Sequence, residues 1–163
     1  MKLTKILYTA EATVTGGRAG HVRSSDGRLE FELAVPAEMG GSGGDGTNPE
    51  QMFAAAYAAC FQSALYAAAG GRREPKPDLS DSRLTARVGI GPTGHGGFGL
   101  AVTLDLHAPR VARETAAELM ARAHRLCPYS NATRGNVDVT LAIDGVPIPT
   151  PGAAGSSLAA SSS

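Results

Sequence analysis

Residues 47–69 read TNPEQMFAAAYAACFQSALYAAA, and this stretch decides the architecture. Thr47-Asn48-Pro49-Glu50 fits a capping box, with Thr47 as the N-cap and Glu50 at the third helical position. Pro49 falls in the first turn, where a missing N–H costs nothing. The spacing predicts a helix from there to about Ala69. Its apolar residues run around nearly the whole circumference, so it should be buried on most sides. The run approaches a membrane span in length, but it is mostly Ala and carries Gln62 and Ser63. Such a run inserts poorly, and a core helix is the expectation, with no membrane partner.

Working outward, Ile6 to Thr15 is β-rich and Gly16-Gly17 marks a turn. Leu29, Phe31, Leu33 and Val35 alternate with Glu30, Glu32 and Ala34 as a half-buried strand ended by Pro36. Gly40 to Gly46 is a Gly-rich loop. After the helix, Gly70 to Ser82 reads as a connection. Leu84, Ala86, Val88 and Ile90, then Phe98, Leu100, Val102, Leu104 and Leu106, alternate as the two arms of a hairpin. Ala112, Thr115, Ala116, Leu119, Ala123 and Leu126 share one face of a second helix, which Pro128 stops. Val137, Val139, Leu141 and Ile143 make a final strand. The domain is thus expected over 1–146, with a disordered Pro/Gly/Ala/Ser tail over 147–163. Strands, helix, strands, helix, strand make this α+β rather than a doubly wound parallel sheet.

The chain has 163 residues, 42% of them hydrophobic, with fifteen basic residues balancing fifteen acidic ones. Neutrality without a basic stripe argues against a nucleic-acid binder. A core so rich in Ala gains from burial between subunits, and a dimer is expected. No export signal is read at Met1-Lys2-Leu3-Thr4-Lys5, so a reducing, cytoplasmic setting is expected. There the two cysteines, Cys60 and Cys127, are either inert core or chemistry.

Taken alone, Cys60 in its Ala-rich helix reads as a small buried hydrophobe. Cys127 changes the balance, because it sits at a helix-to-loop boundary beside Pro128 and Tyr129. Two thiols on separate elements fit an attacking and a resolving cysteine. The first forms a sulfenic acid and the second traps it as a disulfide before over-oxidation. A mid-helix thiol gains little from the helix dipole and is penalised by burial, so it needs a cation. Arg18, flanked by glycines, is a candidate, although a solvated loop arginine looks the same. Glu50 could hold it by a bidentate pair, although capping alone would explain Glu50. On a straight helix Glu50 and Cys60 lie about 15 Å apart along the axis, so a site mixing residues of two subunits is the simpler arrangement. Met52, Phe53, Tyr57 and Phe61 are candidates for an apolar substrate wall, or for dimer core.

Other motifs carry less. Gly41-Ser42-Gly43-Gly44-Asp45-Gly46 has the spacing of a dinucleotide loop, but no acidic ribose partner follows and Asp45 and Glu50 would repel a pyrophosphate. His21, His95, His107 and His124 make no zinc set with the cysteines. His124, three residues before Cys127, leaves a Cys–His hydrolase as a weak alternative. A redox sensor using the same thiols without turnover is another.

Several segments, in order from about Tyr8 to Ile143, resemble the organic hydroperoxide resistance branch of the OsmC superfamily. They are Tyr8–Ala12, Thr15–Arg18, Ser24–Gly27, Gly46–Gln51, Ala58–Phe61, Gly89–Pro92 and, most specific, Cys127-Pro128-Tyr129-Ser130-Asn131-Ala132-Thr133-Arg134-Gly135-Asn136. The resemblance implies an intertwined homodimer, with antiparallel-rich sheets wrapped around two central helices. It implies a peroxidase that reduces alkyl or fatty-acid hydroperoxides, with Cys60 attacking and Cys127 closing a disulfide. Arg18 and Glu50 are then the activating pair. No cofactor or metal is implied; an external dithiol such as a lipoyl group would be the reductant.

Overall fold

The computed structural model describes residues 2–71 and 75–151. They form two compact units, divided between Phe53 and Ala54. The elements run β1 (Ala12–Thr15), β2 (His21–Ser24), β3 (Glu30–Glu32), α1 (Pro49–Gly70), β4 (Arg83–Pro92), β5 (Phe98–His107), α2 (Arg113–Leu126), α3 (Pro128–Thr133), β6 (Asp138–Ile143) and β7 (Val146–Ile148). The α+β reading holds, with four antiparallel strand pairs and one parallel pair among the described residues.

In the first unit β1, β2 and β3 form an antiparallel sheet in that order. Val22, in the middle strand, is buried, while its cross-strand neighbours Val14 and Phe31 are half exposed. The strand expected over Ile6–Thr15 is regular only from Ala12, because the preceding residues find no strand partner among the described residues. Leu3, Ile6, Leu7 and Tyr8 are accordingly exposed. The strand expected to Val35 ends at Glu32, and Leu33 bridges to Thr47 instead.

Helix α1 begins one residue later than the capping box predicted. Asn48 is the cap, its Oδ1 accepting the Gln51 N–H at 2.9 Å. Pro49 then takes the first helical position, and Gln51, not Glu50, takes the third. Thr47 Oγ1 donates to Gln51 Oε1 at 2.8 Å. The shift frees Glu50 from capping. Within the chain α1 buries one face, Tyr57, Phe61, Ala64, Leu65, Ala68 and Ala69. Its remaining surface is half-buried or exposed, including Tyr66.

The second unit carries the sheet β4-β5-β6-β7. The predicted hairpin forms, with Leu84 opposite Leu106, Ala86 opposite Leu104 and Val88 opposite Val102. β6 lies parallel to β5 and aligns Leu141 with Leu104 and Ile143 with Leu106. That parallel pair requires a crossover, which α2 and α3 supply. Val102, Leu104, Leu106, Leu141 and Ile143 from the sheet and Ala116, Leu119, Met120 and Ala123 from α2 are all buried. Three elements go beyond the strands and helices expected from the sequence: β2, which pairs with both β1 and β3, and α3 and β7. Pro128 ends α2 but also opens α3, where it occupies the first turn. The tail expected from 147 does not start there, because Val146–Ile148 forms β7 against β6 and Thr150 Oγ1 accepts the Leu141 N–H. The rest of that tail, 152–163, lies outside the described residues.

Candidate functional site

Arg18 sits on a single 3-10 turn, Gly17–Ala19, between β1 and β2. The turn is tight enough to need glycine at its close. A Cβ on Gly20 would stand 1.8 Å from the Thr15 carbonyl oxygen. Gly16 and Gly17 both take the left-handed conformation. The turn presents Arg18 to Glu50, in the first turn of α1. Nη2 donates to Oε1 at 2.6 Å and Nη1 to Oε2 at 2.9 Å, the parallel two-bond arrangement that a guanidinium fork makes with a carboxylate. The Arg18 hydrogen bonds hold the Glu50 carboxyl below its usual range, against burial working the other way. The same bonds raise Arg18 further, so it stays a cation. Met39 Sδ lies 4.0 Å from Arg18 Nη1.

Cys60 and Cys127 meet in the second unit. The Cys127 thiol donates to Cys60 Sγ at 3.4 Å, and both sulfurs are free. Cys60 is half-buried on α1, whereas Cys127 is fully buried. Cys127 occupies the extended junction between α2 and α3, its N–H closing on the Ala123 carbonyl. A disulfide needs the sulfurs at about 2.05 Å, so closure requires a movement of only about 1.4 Å. Burial pushes the Cys60 thiol up; a hydrogen bond from the Tyr129 backbone N–H opposes this, and the neighbouring Cys127 adds to the rise. Neither of these neighbours is a cation, so full activation of Cys60 needs a positive charge beyond them.

The remaining candidates separate by burial. Tyr57 and Phe61 are fully enclosed, while Met52 and Phe53 are half-buried. His124 is buried, and its Nδ1 lies 3.0 Å from Ser130 Oγ. Burial, then the charges of Arg134 and Arg125, lower its pKa, so it is neutral at pH 7. Ser130 Oγ also accepts from Tyr57 OH at 3.0 Å, and Tyr57 OH lies 3.1 Å from Thr133 Oγ1. Ser130 and Thr133 lie in the segment Cys127–Asn136, but no pattern of their own assigns them a role. The available signal was spacing: Tyr57 stands three residues before Cys60, and Ser130 three after Cys127. No cluster of metal-ligating side chains occurs among the described residues.

Residues 41–142 match the family model of OsmC-like proteins. The organic hydroperoxide resistance protein of Xanthomonas axonopodis pv. citri (strain 306) is 50% identical over 139 residues, spanning 85% of this chain and 96% of that protein. The chain belongs to the organic hydroperoxide resistance proteins of the OsmC family. Solved members of the family share the fold. The structure from Legionella pneumophila is 48% identical, covers 85% of this chain and 98% of its own, and superposes with a TM-score of 0.78. The OhrB protein of Bacillus subtilis is 45% identical, covers 85% and 99%, and gives 0.75. Glu50, Cys60 and Cys127 fall inside the segment matched by the family model, and Arg18 falls before it.

Proposed function

We propose that this member of the family is a thiol peroxidase for organic hydroperoxides. The observation that carries the reading is the 3.4 Å approach of Cys60 and Cys127, two thiols 67 residues apart in sequence. The Cys60 thiolate attacks the distal peroxide oxygen, the O–O bond breaks, and the alkoxide leaves as an alcohol after taking a proton. Cys60 becomes a sulfenic acid. The Cys127 sulfur then attacks the Cys60 sulfur, the S–O bond breaks, and water departs as the disulfide forms. An external dithiol of the lipoyl type returns both thiols by exchange.

Arg18, clamped by Glu50, supplies the positive charge that the Cys60 thiolate requires and donates to the peroxide oxygen. Glu50 and Cys60 are about 15 Å apart along a straight α1, so we place Arg18 of one subunit beside Cys60 of the other in a homodimer. The uncovered apolar surface of α1 supports such a dimer. Apolar residues near the start of α1, Met52 and Phe53 first, favour an alkyl or fatty-acyl peroxide over hydrogen peroxide. The setting is cytoplasmic, where such dithiols are kept reduced.

Steady-state reduction of an alkyl hydroperoxide with dihydrolipoamide tests the reading. Cys60→Ser should abolish turnover, and Cys127→Ser should allow one attack followed by over-oxidation. Wild-type turnover by Cys60→Ser would end the proposal.

A further inference from the structure

The two thiols lie 3.4 Å apart without a covalent link, so something else must hold α3 against α1 while both are reduced. A buried polar chain does so one helical turn away. Tyr57 on α1 reaches Ser130 and Thr133 on α3, and Ser130 reaches His124 on α2. Arg134, just after α3, donates from Nη2 to the His124 carbonyl at 2.7 Å. Thr133 Oγ1 donates back to the Tyr129 carbonyl at 2.9 Å. Tyr57, Ser130 and His124 are all essentially without solvent exposure. Buried hydroxyl and imidazole groups are costly unless paired, so this chain fixes one relative placement of the three helices and disfavours others.

The spacing relates that placement to the chemistry. Cys60 follows Tyr57 by three residues on one side of the contact. Ser130 follows Cys127 by three on the other. The Tyr57–Ser130 hydrogen bond and the Cys60–Cys127 contact therefore join α1 to the same short segment, Cys127–Ser130, as two parallel ties.

We infer that Tyr57, Ser130 and His124 are positioning residues for the resolving step, holding the Cys127–Pro128–Tyr129 junction so that the Cys127 sulfur meets the Cys60 sulfenic acid before a second peroxide does. The inference rests on the peroxidase reading above. Two reactions compete for the sulfenic acid. In one, Cys127 displaces its oxygen as water and the S–S bond forms. In the other, a second hydroperoxide transfers its distal oxygen to the Cys60 sulfur, giving sulfinic acid and a second alcohol. Positioning acts only on the first, so it sets the ratio between them.

The test is that ratio. Wild type, Ser130→Ala, Tyr57→Phe and the double variant are mixed with a graded excess of tert-butyl hydroperoxide, well below their unfolding temperatures. Intact mass then counts disulfide and sulfinic acid per Cys60 oxidised. This ratio is independent of how fast the first attack occurs. A loss of placement of about 1 Å costs on the order of 100-fold in an oriented reaction. Each single variant should therefore over-oxidise at a peroxide concentration roughly 10- to 100-fold lower than wild type does. The double variant should match the singles, because both break one chain. Wild-type ratios in both single variants would overturn the inference, as would additive effects in the double. A wild-type protein that forms neither product would instead refute the peroxidase reading, so the two failures are distinct.

Discussion

Arg18 and Glu50, 32 residues apart in sequence, close on each other through two hydrogen bonds of 2.6 and 2.9 Å. The pair is unequal in exposure: the Glu50 side chain is 13% exposed and that of Arg18 38%. The carboxylate is thus the anchored member and the guanidinium the presented one. That asymmetry suits a cation offered to another group rather than one neutralised in a core.

Glu50→Gln tests the anchor. Gln keeps the shape but loses the charge and one of the two acceptors, so Arg18 is no longer oriented. For an alkyl hydroperoxide kcat/KM should fall about 10-fold or more, with the fold retained. Acid should act likewise on the wild type. The Glu50 carboxyl is held below its usual range, so the clamp is complete above about pH 4.3 and lost as pH falls through the lower folded value. Circular dichroism beside the rate measurement separates the clamp from unfolding.

Arg18→Ala tests the presented cation. Burial and Cys127 raise the Cys60 thiol, and without Arg18 it should ionise only at alkaline pH. A thiol near or above its ordinary value is a few per cent ionised at pH 7, so the rate of peroxide attack should drop about 30-fold or more there. It should recover part of that loss as pH rises, because the thiolate is the reacting form. A pH-independent loss would assign Arg18 to peroxide binding alone.

Gly20→Ala tests the turn that carries Arg18. The added methyl would collide with the Thr15 carbonyl, a backbone atom that cannot give way cheaply. The β1–β2 connection should open, and activity should fall while the second unit is unaffected. Near-normal kcat/KM would show that the turn tolerates a different course.

His124 predicts an acid-sensitive step in stability. Its folded value lies below the ordinary 6.5, so the unfolded chain takes up a proton first as pH falls. Stability from this source is complete above about pH 6.5 and declines below it, by at most about 1.4 kcal/mol per pH unit. Urea midpoints between pH 7 and 5 should fall in the wild type and flatten in His124→Gln. Carboxylate effects, including that of Glu50, come at lower pH.

Periodicity made the β4–β5 hairpin, α1 and α2 legible, because each must cover a face of the core and its apolar spacing says which. It does not show β2, α3 or β7, each too short for a period to appear. Pro128 reads as a stop, and its second meaning, the first residue of a new helix, depends on where Ser130 and Thr133 find partners. The cap at α1 moved by one residue because Asn48 competes with Thr47 and wins the Gln51 N–H. The Arg18–Glu50 contact and the thiol pair were expected from resemblance, since no local rule joins residues so far apart. The Tyr57–Ser130–His124 chain was not foreseen, because a buried Tyr or Ser looks in sequence like any other.

Whether Cys60 and Cys127 form a reversible redox pair is read out by intact mass with free-thiol counting. The protein is measured reduced, after one equivalent of an alkyl hydroperoxide, and again after dihydrolipoamide. Both thiols should be lost as one internal disulfide and then both recovered. Two thiols still free after peroxide would contradict this and leave Cys60 and Cys127 as core packing.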